Sequence, residues 1–387
     1  MRVWIILLLL LATAAASELG NVSIDGESLA ILKDCWIELD GGKEVKIPAI
    51  TFEYSGVPSA NYTKNGKTVK INSSVGESYS VTYPYTSHRV YLDGDNVILN
   101  FNTTLSNKQI YVYTLRTYPM QVKEAIEKAL DGNTTFLKGL LERAYNNTTV
   151  NLNDTGKDSL TLYNVPAGDY VVVALENESS EASNTQASNT LIAATAFTVL
   201  EHDSTLDVPR TITTGQYLEG YFNISTSSTA NYRYIVALVD ESVTAKFKLT
   251  SDGTKATTNL MLNNAKLVEG FKVAGVGLKN VNASKVVNLL NEAFGDKISV
   301  AEDKSGKVYS FRLITEGLPA GKYLLYAAAW NLSNPSQRVV AFNWTEIEIT
   351  PSIIDRYDTN NNGKIDDDEL INGIMDWLDG KISDSEL

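Results

Sequence analysis

The segments NVPAGDYVVVALENES, ending at Ser179, and GLPAGKYLLYAAAWNLS, ending at Ser333, each set Pro-Ala-Gly-x-Tyr ahead of an apolar run. Proline presets φ for a turn and glycine relieves the strain behind it. Pro166–Tyr170 and Pro319–Tyr323 therefore each read as a tight turn feeding a strand. The run Val171–Leu175 does not alternate, which predicts a strand covered on both faces. The echo extends upstream. VILNFNTTLSNKQIYVYTLR (97–116) and YLEGYFNISTSSTANYRYIVALVD (217–240) share a strand, a sequon-bearing loop and an aromatic, β-branched strand. A helix is expected after each. Val122, Ala125, Ile126, Ala129 and Leu130 line one face in the first copy, with Gly132 as C-cap. Val286, Leu289, Leu290, Ala293 and Phe294 do so in the second, closed by Gly295.

The same elements in the same order predict a mainly β fold with inserted helices (α+β): two related β-sandwich-like domains in tandem. Domain 1 is expected over 18–203, with its repeat starting near 90, and domain 2 over 206–350. The polar stretch EHDSTLDVP (201–209) separates them, and 351–387 forms a small helical, EF-hand-like module. The copies differ by insertions. The first carries the helix-like TFLKGLLERAYNN (135–147) and a polar surface loop, NESSEASNTQASN (177–189). The second carries a hairpin over 245–271 that turns at Asp252-Gly253.

Residues 1–17 read as a signal peptide: Met1-Arg2, an apolar run over Val3–Ala12, then Ala14-Ala15-Ala16. That run is shorter than the ~20 residues a spanning helix requires, and none of that length follows. The expectation is a secreted or cell-surface chain with no membrane span after processing. Sequons fit that address and make glycosylation candidates of Asn21, Asn61, Asn72, Asn102, Asn133, Asn146, Asn147, Asn153, Asn177, Asn223, Asn282, Asn331 and Asn343. A net charge of −13 argues against nucleic acid and anionic membranes as partners. The one cysteine, Cys35, has no internal partner and reads as a buried thiol.

Catalytic chemistry is sparse. The two histidines, His88 and His202, lack ligand-spaced partners, and His202-Asp203 falls in the expected linker, where exposure is anticipated. Tyr111, Tyr113, Tyr232 and Tyr234 alternate as sheet residues do, although strand tyrosines can also form sugar platforms. No catalytic residues are assigned. A secreted carbohydrate-binding protein or glycoside-active enzyme, which needs only two carboxylates, stands as the alternative to a non-enzymatic surface protein.

The most specific chemistry lies in DTNNNGKIDDDE (358–369). Counting Asp358 as position 1 puts Asn360 and Asn362 at 3 and 5, Gly363 at the sharp turn, and the Lys364 carbonyl at 7. Asp366 falls at 9 and Glu369 at 12, the calcium-ligand pattern of an EF-hand loop. Two neutral amides among the ligands suggest affinity in roughly the micromolar to millimolar range. DGKISDSE (379–386) echoes NGKIDDDE (362–369), but Met375 and Trp377 would stand at its first two ligand positions, so no second calcium is expected. Leu370, Ile374, Trp377 and Leu378 form a helical apolar face between the loops, available to the second half-loop or to a partner.

With its GKIS echo, this tail resembles the dockerin-like and EF-hand tails of archaeal secreted proteins. That resemblance implies calcium-dependent docking on a cohesin-like or surface protein. The body, over about 206–350 and more weakly in the first copy, resembles methanogen-type archaeal extracellular proteins through ANYRYIVALVDES and LPAGKYLLYAAAW. This likeness implies an address and an architecture, and no reaction.

Overall fold

The computed structural model describes residues 18–383 except 25–26, 33, 65–66, 74–76, 83–86, 117–138, 140–141, 178–188, 228–231, 253–255, 263–264, 270–271, 274–275, 278–297, 304–307, 332–338, 361 and 363. The expected signal peptide and both expected amphipathic helices lie outside the described residues. The chain forms two compact units: Met1–Asp203 with Val243–Ala293, and Ser204–Ser242 with Phe294–Leu387.

The sandwich strands of the first unit, numbered in chain order, are β1 (Trp36–Asp40), β2 (Ser87–Leu92), β3 (Val97–Asn102), β4 (Gln109–Arg116), β5 (Asn146–Asn151), β6 (Lys157–Leu162), β7 (Gly168–Asn177) and β8 (Asn189–Leu200). One sheet has the order β6-β3-β1; the other runs β5-β4-β7-β8, with β2 lying parallel to β8, and continues past β8 through Glu27–Leu32, Glu18–Ile24, Lys67–Ser73 and Ser59–Lys64 as a ten-stranded sheet. Alternation explains the layering. Val97, Leu99 and Phe101 point inward from β3, while Ile98, Asn100 and Asn102 point outward. Ile37, Leu99, Phe101, Val112, Val172 and Phe197 belong to one buried core.

The second unit repeats this plan with β9 (Ser204–Asp207), β10 (Thr211–Thr213), β11 (Tyr217–Ile224), β12 (Tyr232–Asp240), β13 (Ile298–Asp303), β14 (Val308–Ile314), β15 (Gly321–Asn331) and β16 (Val339–Thr350). Its sheets are β14-β11-β9 and β13-β12-β15-β16, with β10 parallel to β16. For the eight sandwich strands of each unit the two topologies coincide, in an arrangement of the immunoglobulin type. The Pro-Ala-Gly-x-Tyr motif has the same job in each. The hydroxyl of Tyr170 donates to Pro166 O at 2.6 Å, and that of Tyr323 to Pro319 O at 2.8 Å. These are tyrosine corners at the entry to β7 and β15. Both rings are buried, and Tyr170 stacks on Phe197 at 4.9 Å. Val171, Val172, Val173 and Ala174 are all buried, as a strand covered on both faces requires.

Two features differ from the sequence reading. The first sandwich begins at β1, some fifty residues ahead of position 90, because a long excursion separates β1 from β3. Within that excursion, Ile50–Gly56 pairs in parallel with Ala245–Ser251, the first arm of the hairpin expected in domain 2. Ala245–Ser251 also pairs antiparallel with Ala256–Leu262 around residues 252–255. The insertion between β12 and β13 thus joins a seven-stranded sheet of the first unit.

Cys35 is 1% exposed and sits beside Thr104, whose N–H and hydroxyl meet its sulfur at 3.4 and 3.6 Å. Burial pushes the thiol up from its ordinary value, so it stays protonated near neutrality. A thiol reagent at pH 8 is expected to leave the native chain unlabelled and to label one thiol per chain in denaturant. Rapid native labelling would place Cys35 outside the core.

Candidate metal centre

After β16 the chain passes through Pro351 into two helices, α1 (Ile353–Tyr357) and α2 (Asp367–Leu378). A capping box starts α1: Asp355 N donates to Ser352 Oγ at 3.0 Å, and Ser352 N donates to Asp355 Oδ2 at 3.0 Å. Thr214, just beyond β10, ties this cap to the sandwich by donating to Asp355 and accepting from Ser352 N. The Thr214 hydroxyl, and after it the Ser352 donors, hold the Asp355 carboxyl below the usual carboxylate range. The helices meet through Tyr357, which is buried, faces the Gly373 backbone and donates to Asp376 Oδ2 at 2.9 Å.

The loop between the helices gathers the sequence-derived residues. Asp358 is the C-cap of α1 and is 8% exposed; its Oδ1 accepts from Asn362 N at 2.9 Å. Asn360 Oδ1 accepts from Asn362 N at 3.0 Å, and Asn362 Oδ1 accepts from Lys364 N at 2.8 Å. The Nδ2 groups of Asn360 and Asn362 both donate to Asp366 Oδ2, each at 2.8 Å. Asp366 is the N-cap of α2, and its N–H donates to Glu369 Oε2 at 2.9 Å. Glu369, 4% exposed, also accepts on Oε1 from the N–H and hydroxyl of Thr359 and from Asn360 N. The Asp366 N–H, followed by the Thr359 and Asn360 donors, holds the Glu369 carboxyl below its ordinary range.

The donor set is all hard oxygen, which suits calcium. Two amide nitrogens converge on one Asp366 oxygen, so positive partial charge sits where a cation would be attracted. Amide orientation follows the hydrogen-bond network, and turning Asn360 and Asn362 over would present their oxygens there instead. Glu369 would have to exchange N–H partners for the ion. Among the described residues, no three side chains of the His, Cys, Asp or Glu type form a ready-made metal cluster. The loop's set is mixed, with two asparagines among its side chains. Asn361 and Gly363 lie outside the described residues.

The echoed second loop takes no loop form where its first ligands would stand, because α2 continues through Met375 and Trp377 to Leu378. Ile382 is buried, whereas Leu370, Ile371, Ile374, Met375 and Leu378 on α2 are exposed.

Elsewhere, His88 Nε2 lies 3.3 Å from Thr198 Oγ1, which donates to Asp169 Oδ1 at 2.9 Å. The hydroxyl stands between imidazole and carboxylate, the wrong order for a nucleophile activated by histidine. His202 was expected to be exposed; its side chain is 14% exposed and lies 3.6 Å from Glu201. Tyr232 and Tyr234 are core residues, while Tyr111 and Tyr113 are half-buried.

The sequons divide by environment. Asn61, Asn147 and Asn153 are exposed, and Asn102, Asn146, Asn223 and Asn331 half-buried. Asn343 is 7% exposed, and its Nδ2, the atom a glycan would use, donates to Ser204 O at 2.7 Å. Asn133 and Asn282 lie outside the described residues. The side chains of Asn21, Asn72 and Asn177 do too, though Asn21 and Asn72 are register partners on neighbouring strands.

No family model matches the chain, and no curated protein matches it. A solved structure of red sea bream transglutaminase is similar over 67% of this chain at 9% identity, with a TM-score of 0.24. The chain matches about 30% of that enzyme's length. So slight a likeness carries no argument about activity. No helix among the described residues is long and apolar enough to cross a membrane.

Proposed function

We propose that this is a secreted, glycosylated, non-enzymatic cell-surface protein whose C-terminal module is held by calcium and docks on a partner protein. The observation that carries the reading is the loop itself: Asp358 and Glu369 are buried, and Asn360, Asn362 and Asp366 face one another through a single Asp366 oxygen. Those five side chains and the Lys364 carbonyl would hold the ion. Bound calcium would supply positive charge among the carboxylates and lock α1 to α2. The exposed apolar stripe of α2 supports docking on a cohesin-like or surface protein, and the Thr214–Asp355 tie supports a tail braced by its own sandwich. Calorimetric titration of the full chain with calcium should show one site, lost in Asp358→Ala and in Glu369→Ala. A flat isotherm for the unaltered chain, or variants that bind as it does, overturns the calcium assignment.

A further inference from the structure

Asn102 and Asn223 occupy the same place in the two sandwiches. Each follows an inward phenylalanine, Phe101 or Phe222, and each lies on the outer face at the end of the central strand of the three-stranded sheet. Each also has an exposed aromatic ring beside it, reached by a different route. In the first sandwich Trp36, 38% exposed, is the direct cross-strand partner of Asn102. Directly opposed residues hold their Cβ atoms about 4.5–5.5 Å apart. In the second, Thr205 takes the cross-strand position, and the ring comes from Tyr221, 52% exposed and two residues back on the same face of β11. Two residues along a strand span roughly 7 Å, about the width of a sugar ring. An exposed aromatic ring thus stands beside the asparagine in both repeats, although the residue that supplies it differs.

We propose that Asn102 and Asn223 carry N-linked glycans whose first sugar lies on Trp36 and Tyr221, so that each glycan is packed onto its sandwich. This rests on the reading of the chain as exported and glycosylated. In the transfer, the side-chain amide nitrogen forms a bond to the anomeric carbon of a lipid-linked glycosyl phosphate or pyrophosphate. The C–O bond to phosphate breaks, its electron pair leaves with the phosphate, and the displaced amide proton passes to the transferase's base. A pyranose ring presents a face of C–H groups, and an aromatic ring is the apolar surface that matches it. Asn223 Nδ2 donates to the Thr205 hydroxyl at 3.5 Å in an exposed setting, whereas at Asn343 the nitrogen is buried and held by Ser204 O at 2.7 Å, so no glycan is expected at Asn343.

The test is the full-length chain secreted from a eukaryotic host, read by glycopeptide mass spectrometry and thermal melting. Asn102 and Asn223 should be occupied. Asn102→Gln and Asn223→Gln should each lower the melting temperature of their sandwich by about 2–4 °C, and trimming every glycan to its first sugar should change nothing. In Trp36→Ala and Tyr221→Ala backgrounds the same Asn→Gln changes should have no further effect. Two outcomes sink the stacking proposal alone: other sequons occupied with Asn102 and Asn223 bare, or glycan-dependent shifts that survive removal of the rings. No glycan at any sequon overturns the glycoprotein reading along with it.

Discussion

Tyr323→Ala is expected to cost the second sandwich about 3–5 kcal/mol, the range for deleting a large buried aromatic side chain. The ring is 1% exposed and belongs to the core cluster with Phe222, Tyr234, Leu325 and Ile347, so its loss leaves a cavity that rigid strands close poorly. Tyr323→Phe separates the hydroxyl from the ring. It removes the hydrogen bond that now reaches Pro319 O at 2.8 Å. Pro319 itself is exposed, so the loss is that of an ordinary intramolecular hydrogen bond, about 0.5–1.5 kcal/mol. Tyr170→Phe should behave alike in the first sandwich. Trp330 and Trp344 lie in β15 and β16, so with Trp36 and Trp377 replaced by Phe the denaturant midpoint of the remaining fluorescence reports the second sandwich. A midpoint unchanged in Tyr323→Phe would show that the corner hydrogen bond is not part of the folded sandwich's stability.

That corner marks how far the sequence could be read. Pro-Ala-Gly-x-Tyr announces a turn and a strand through local chemistry, and the alternation of Val97, Leu99 and Phe101 announces an inward face. Which strands pair is a different matter. β1 binds β3 across more than fifty residues of excursion, and nothing in Trp36–Asp40 identifies its partner. The parallel pairing of Ile50–Gly56 with Ala245–Ser251 is further still from local signals, because it joins segments inserted into different repeats. Parallel registers carry no turn to fix them.

The candidate calcium-ligand pattern between α1 and α2 was legible residue by residue because coordination imposes a spacing on the chain itself. Its surroundings were not. The Thr214 tie, the Tyr357–Gly373 contact and the helical state of Met375 and Trp377 depend on packing between separate elements. Likewise, Trp36 comes beside Asn102 only through strand pairing, and its signal in KDCWIEL is a lone aromatic residue.

Acid should release the tail, and added calcium should hold it more firmly. The Glu369 carboxylate is held low by N–H and hydroxyl donors, so its stabilising effect is fully present above its unfolded value of about 4.3. It is lost as pH falls through the lower folded value. Asp355 and Asp376 shift in the same direction, the latter chiefly through Lys381 and then Tyr357. Hydrogen-exchange protection across α2, corrected for intrinsic rate, should hold constant from about pH 7 to 5 and collapse below about pH 4. Calcium at a hundred times its dissociation constant should add about 2.7 kcal/mol of protection at neutral pH. Glu369→Gln should abolish that increment, since an amide offers one oxygen and no charge where the ion needs a bidentate carboxylate. Protection of α2 that ignores calcium in the unaltered chain, or that Glu369→Gln leaves intact, would mean the loop is closed by its hydrogen bonds alone.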